Sequence, residues 1–128
     1  MSNYAIVNMR DLEDSVGGRV EGVEGRFGRT PLESEHLGIS LFRYAPGKRS
    51  TTGHHHREQE EAYVIVGGSG RINLDGDVRE LREWDVVRVS PAVVRAFEAG
   101  PDGIEFVAIG SDRPEGGGGA QAPVEWPD

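Results

Sequence analysis

The chain has 128 residues and no cysteine, the commonest size for a single domain, with disulfides and thiolate metal sites excluded. Its net charge of −8, from 14 basic and 22 acidic residues, argues against nucleic acid or an anionic membrane as partner, and no basic run is longer than Lys48-Arg49. The longest apolar run, Ala62 to Val66, is too short to span a bilayer, and the N-terminus lacks the basic-then-apolar order of a secretory signal, so the cytoplasm is the expected compartment.

Tyr4 to Met9 reads as a short strand at the start of an N-terminal arm, residues 1–36. Asp11 to Arg26 carries Gly17, Gly18, Gly22 and Gly25, too many for a stable helix at about 1 kcal/mol each relative to Ala, and reads as loop. From Leu37 the pattern is β. Leu37 to Tyr44 is apolar and stops at the Pro46-Gly47 turn. Ala62 to Val66 is a buried-strand run closed by Gly67-Gly68-Ser69-Gly70, and Arg71 to Leu74 alternates. Asp75-Gly76 predicts a two-residue hairpin into Val78 to Leu81. Asp85 to Val89 is a further strand, stopped near Pro91. Val94 to Glu98, a turn at Gly100 to Gly103, and Ile104 to Ile109 complete the series. Short strands at this spacing predict an all-β sandwich or barrel over 37–110. Residues 111–128 are Gly/Pro-rich and read as a flexible tail, in which Trp126 is the one residue suited to docking.

Three of the four histidines are consecutive, His54-His55-His56, and Glu61 opens the next apolar run. On an extended chain His54 and His56 share a face and His55 takes the other. Two imidazoles on one face can share a metal, and Glu61 from the next strand can complete the set. The plain alternative is three solvated histidines in a polar loop. His36 stands apart and reads as exposed unless the arm folds back. The Gly67 to Gly70 run lacks the following helix that a phosphate loop needs, so no nucleotide cofactor is expected. Tyr63, Phe97 and Phe106 read first as packing residues and second as pocket lining.

Pro46-Gly47, His54-x-His56, Glu61 and Gly68 together resemble the first signature motif of the cupins. The second cupin motif, a Gly, a strand, Pro-x-Gly, then His and Asn, falls at Trp84 to Ala99. Here Trp84 and Ala92 stand at glycine positions, Ser90 at the proline, Arg95 at the histidine and Ala99 at the asparagine. The resemblance covers residues 37–110. It implies a small double-stranded β-helix, a jelly-roll barrel of two antiparallel sheets, and a homodimer to which Tyr4 to Met9 could add a strand. It implies His54, His56 and Glu61 as ligands of a divalent transition metal, Fe, Mn, Ni or Zn, with the remaining histidine ligand missing. Trp84 is expected to cover one end of the barrel.

Arginine stays protonated and donates no lone pair. Its charge about 5 Å from a divalent ion costs roughly 6–7 kcal/mol at an effective dielectric near 20. Two outcomes follow. Arg95 turns aside, leaving a two-histidine, one-carboxylate face for a metal-dependent oxygenase or isomerase on a small anionic compound, with Arg95 holding the anion and Tyr63 as candidate acid/base. Or Arg95 pairs with Glu61, and the barrel is a metal-free ligand-binding module or a vestigial structural cupin. In each working form the partner is a small molecule.

Overall fold

The computed structural model describes residues 3–112 and 119–128. Its strands are β1 (Val23–Phe27), β2 (Gly38–Tyr44), β3 (Thr52–His56), β4 (Glu61–Leu74), β5 (Asp77–Arg82), β6 (Val86–Val89), β7 (Arg95–Gly110) and β8 (Gly119–Pro123). Among the described residues there is no α-helix, only a 3-10 turn at Met9–Asp11, and no helix long and apolar enough to cross a membrane.

β4 and β7 organise the molecule. Each bends and serves two sheets. Residues 104–110 of β7 lie between β2 and residues 61–68 of β4, which builds a first sheet in the order β1-β2-β7-β4-β6. Residues 95–99 of β7 pair with residues 70–74 of β4, and Arg95 pairs with His54 on β3, which builds a second sheet in the order β5-β4-β7-β3-β8. Every pairing is antiparallel. Two sheets sharing two bent strands close into the expected jelly-roll barrel. Inward-facing Tyr63, Ile65, Ile72, Phe97, Ile104 and Phe106 are all at most 3% exposed and form its core.

The turn readings at two glycine clusters are corrected. Gly67 to Gly70 and Gly100 to Gly103 do not end strands; they are the bends inside β4 and β7, with register shifts on either side of Gly67 and Gly68. The reason is space. Gly68 has φ +68°, and a Cβ there would lie 2.0 Å from the Gly103 carbonyl oxygen. Glycine lets the two backbones touch at the corner where one sheet passes into the other. The Asp75-Gly76 hairpin forms as expected, with φ of 53° and 93°, both positive as a type I′ turn requires.

The ends differ most from expectation. Tyr4 to Met9 forms no strand, and Tyr4 and Ile6 are 81% and 91% exposed. The arm's strand is instead β1, within the segment read as loop. Gly25 sits buried in it because Val16 and Phe42 occupy the place a side chain would take. Residues 119–123 of the expected tail form β8, paired with β3 along its whole length. Beyond it the indole of Trp126 donates to the Ser50 carbonyl at 2.8 Å and lies under the guanidinium groups of Arg49 and Arg71, which also pair with Asp128. Residues 113–118 of that tail lie outside the described residues. Trp84 does not cover the barrel. It holds the third position of the turn Arg82 to Asp85 with φ 71° and points outward, 72% exposed.

Candidate functional site

β3 runs extended, so His54 and His56 emerge on one face, as the alternation requires. Gly53 lets β3 approach β7 and the C-terminal segment: a Cβ there would lie 2.7 Å from both the Arg95 carbonyl oxygen and Val124 Cγ2. Glu61 opens β4 in the other sheet and faces the histidines across the barrel mouth. Its Oε1 is 3.3 Å from His54 Nε2 and 3.2 Å from His56 Nε2, and it accepts a 2.7 Å hydrogen bond from the Tyr63 hydroxyl. One ligand atom from each of His54, His56 and Glu61 lies within 4.8 Å of the others.

The electrostatics follow from burial. Burial pushes the Glu61 carboxyl upward, but the hydrogen bonds from His54 and Tyr63 and the charges of His54 and His56 outweigh it and hold it at about 2. Burial lowers His56, with Glu61 opposing, so its imidazole is readily neutral. Burial and the Glu61 charge push the Tyr63 phenol well above its ordinary value. Tyr63 therefore keeps its proton and donates a hydrogen bond to Glu61. Among the described residues, both ring nitrogens of His56 are buried without a hydrogen-bond partner; the contact from Nε2 to Glu61 is close but lacks hydrogen-bond alignment. A neutral imidazole with a free lone pair beside an ionised carboxylate and a second imidazole is a donor set that fits a divalent transition metal.

Arg95 stands opposite His54 in the ladder, where the expected third histidine would be. It is fully buried and makes no ion pair with Glu61. Its guanidinium instead donates to the carbonyls of His54 and Pro91 at 3.4 Å and of Ser90 at 3.3 Å, which leaves Nε unpartnered among the described residues. Arg95 thus turns aside. It is not among the residues that line the cavity: carbonyls of the turn before β7 have claimed the group. Its charge still reaches His56 and lowers it.

The triad opens on a cavity of about 450 Å³. The register explains the void. Gly38, Gly110 and Glu61 stand in one row across β2, β7 and β4, and Ser40, Ala108 and Tyr63 in the next inward row. Small residues on two neighbouring strands leave the barrel unfilled there. Below them Phe42, Phe97 and Phe106 stack, with centroids 5.5 Å apart for Phe42–Phe106 and 4.1 Å for Phe97–Phe106. Tyr63, Phe97 and Phe106 are core and cavity wall at once. Sequence reasoning missed Arg29 and Gln59, which also line the cavity. Arg29 Nη2 and Gln59 Nε2 both donate to the Ser111 carbonyl, at 3.2 and 2.9 Å. The alternation of small residues in Gly38-x-Ser40 and Ala108-x-Gly110 was a readable sign of the void; nothing local marks Arg29. His36 lies outside, paired with Asp112 at 3.0 Å, and His55 is on the other face of β3.

Residues 40–109 match the cupin domain family. The chain is a cupin. The barrel of this cupin resembles a cupin protein from Bacteroides fragilis, with a TM-score of 0.72 and 25% identity over 88% of this chain and 86% of that one. It also resembles a cupin-superfamily sugar phosphate isomerase from Silicibacter pomeroyi, with a TM-score of 0.72 and 16% identity over 86% of this chain and 77% of the other. The polyketide cyclase RemF from Streptomyces resistomycificus superposes with a TM-score of 0.74 and 19% identity over 94% of this chain and 85% of its own. The sequence matches no curated protein.

Proposed function

We propose that this cupin is a metal-dependent enzyme acting on a small anionic compound, with His54, His56 and Glu61 holding a divalent transition metal. The observation that carries the reading is His56: a buried imidazole whose nitrogens have no hydrogen-bond partner, set beside Glu61 and His54. A buried polar atom without a partner costs about 1–3 kcal/mol, and a metal would satisfy it. A metal so held supplies Lewis-acid or oxygen chemistry, which suits an isomerase or an oxygenase. All three ligands border the cavity, so a substrate there would lie against them. Tyr63, the candidate acid/base, donates a hydrogen bond to Glu61 and in this arrangement positions the carboxylate. That the relatives include a sugar phosphate isomerase and a polyketide cyclase supports a small-molecule role.

The test is elemental analysis of untagged protein purified without chelator, beside a His56→Ala variant. The expected result is near one Fe, Mn, Ni or Zn per chain, lost in the variant. Metal in neither sample would overturn the reading and leave a metal-free binding module, the function that the missing third histidine favours.

A further inference from the structure

Arg29 reaches the cavity from the turn that follows β1. It is half-buried and is, among the described residues, the one Lys or Arg side chain that lines this cavity. Its guanidinium lies over Gly38: a Cβ at that residue would come within 2.7 Å of Arg29 Nη2. Gly38 shares its row with Gly110 and Glu61, so the guanidinium sits two strand spacings, about 10 Å, from the Glu61 backbone. Among the described residues no carboxylate pairs with it, and its hydrogen bond is a 3.2 Å contact to the Ser111 carbonyl. Among the described residues, four of its five N–H donors have no partner and can meet a ligand. Apart from the metal-ligand set, the lining is mainly apolar, with Phe27, Phe42 and Phe106 and the small residues Ala108 and Gly110, and Thr30, Ser40 and Gln59 supply its polar groups. A polyhydroxylated ligand would leave hydroxyls unpaired against the aromatic part of these walls, at a cost for each. A flat apolar body would bury against them.

We propose that Arg29 is the anion anchor of this site and that the substrate class is a flat, largely apolar or aromatic carboxylate. Its carboxylate meets the Arg29 fork, its body lies over Phe42 and Phe106, and its far end reaches His54, His56 and Glu61. The proposal takes up the role expected of Arg95, and its statement about the far end rests on the metal-enzyme reading above.

Calorimetric titration of the protein as purified with 2-naphthoate, 2-naphthamide and glucose 6-phosphate tests it. The acid is expected to bind at least about tenfold more tightly than the amide, a difference near 1.4 kcal/mol. Arg29→Gln removes that preference and Arg29→Lys keeps part of it. Gly38→Ala, which crowds the flexible guanidinium rather than deleting it, weakens the acid and spares the amide, so the proposal stays open to test if Arg29→Gln folds poorly. An acid preference that survives Arg29→Gln but disappears in His56→Ala would place the anion at the metal ligands and overturn the proposal. So would tighter binding of glucose 6-phosphate, or no binding of 2-naphthoate by the folded protein. Absence of metal, by contrast, removes only the metal-enzyme reading: the acid preference and its loss in Arg29→Gln are then still expected.

Discussion

At Glu61 two opposing effects meet in one carboxyl. Burial disfavours the charge, while Tyr63, His54 and His56 favour it more, and the group is held at about 2 against an ordinary value of 4.5. A depressed folded value means stability that is fully present above the unfolded value and lost as pH falls toward the folded one. Glu61 therefore stabilises the barrel at pH 5 and above, and that contribution fades between about pH 4.5 and 2. Urea unfolding in the presence of chelator, wild type against Glu61→Gln, is expected to show a stability gap that is present at pH 5 and closes as pH falls toward 2. A gap unchanged down to pH 2.5 would contradict the origin assigned to it. Arg95 shows the opposite case, a buried cation without a carboxylate. Three backbone carbonyls solvate it in place of water, and such a group is costly to bury. The residue that replaces a family ligand is accordingly held out of the site.

The C-terminal segment is fastened as an element, not by one contact. β8 supplies five ladder pairs to β3, the strand that presents His54 and His56. Trp126 then lies under two guanidinium groups, Arg49 at 4.9 Å and Arg71 at 5.5 Å from its ring. Glu98 and Asp128 hold those same two arginines, Glu98 from the first part of β7. Removing the indole takes away the packing, both cation–π contacts and the bond to Ser50. Trp126→Ala is expected to cost about 2 kcal/mol in urea unfolding and to speed proteolytic loss of residues 119–128. On its other side β3 pairs with β7 at one position, His54, and the chain before β3 bridges β7 at Arg49. Loosening β8 is thus expected to reach the histidines, seen as weaker metal retention in the same variant.

On the scale of the whole molecule the corner between the sheets decides whether there is a barrel. Gly68 and Gly103 both have positive φ, 68° and 80°, and pack backbone against backbone. A side chain at Gly68 meets two penalties at once, the left-handed conformation and a carbonyl 2.0 Å away that no rotamer can move. Gly68→Ala is expected to destabilise the protein by more than about 3 kcal/mol, read as a lost or strongly lowered thermal midpoint. Gly47, also at positive φ but with nothing within 4 Å, tests the alternative. Its alanine variant carries only the backbone penalty, about 1 kcal/mol.

The sequence by itself determined most of the strands between Leu37 and Ile109 and the pattern of candidate site residues among them. The apolar run Ala62 to Val66, alternation in Arg71 to Leu74 and Val94 to Glu98, the Asp75-Gly76 turn, and a His-x-His with a downstream Glu are local signals, and each was readable because period and turn chemistry act over a few residues. The all-β barrel and the meeting of His54, His56 and Glu61 followed from them. What only the tertiary structure decided depends on partners far away in the chain. Gly67 to Gly70 is a turn by composition and a bend in fact, because only Gly103 opposite shows why the side chains are missing. Residues 119–123 become a strand because β3 has an edge to offer them. Arg29 enters the cavity because β1 pairs with β2, and Arg95 is kept out of it because the carbonyls of Ser90 and Pro91 lie within its reach. A ligand set two to seven residues apart can be written into a short stretch of sequence. An anchor more than twenty residues from that set acquires its role only when the barrel closes.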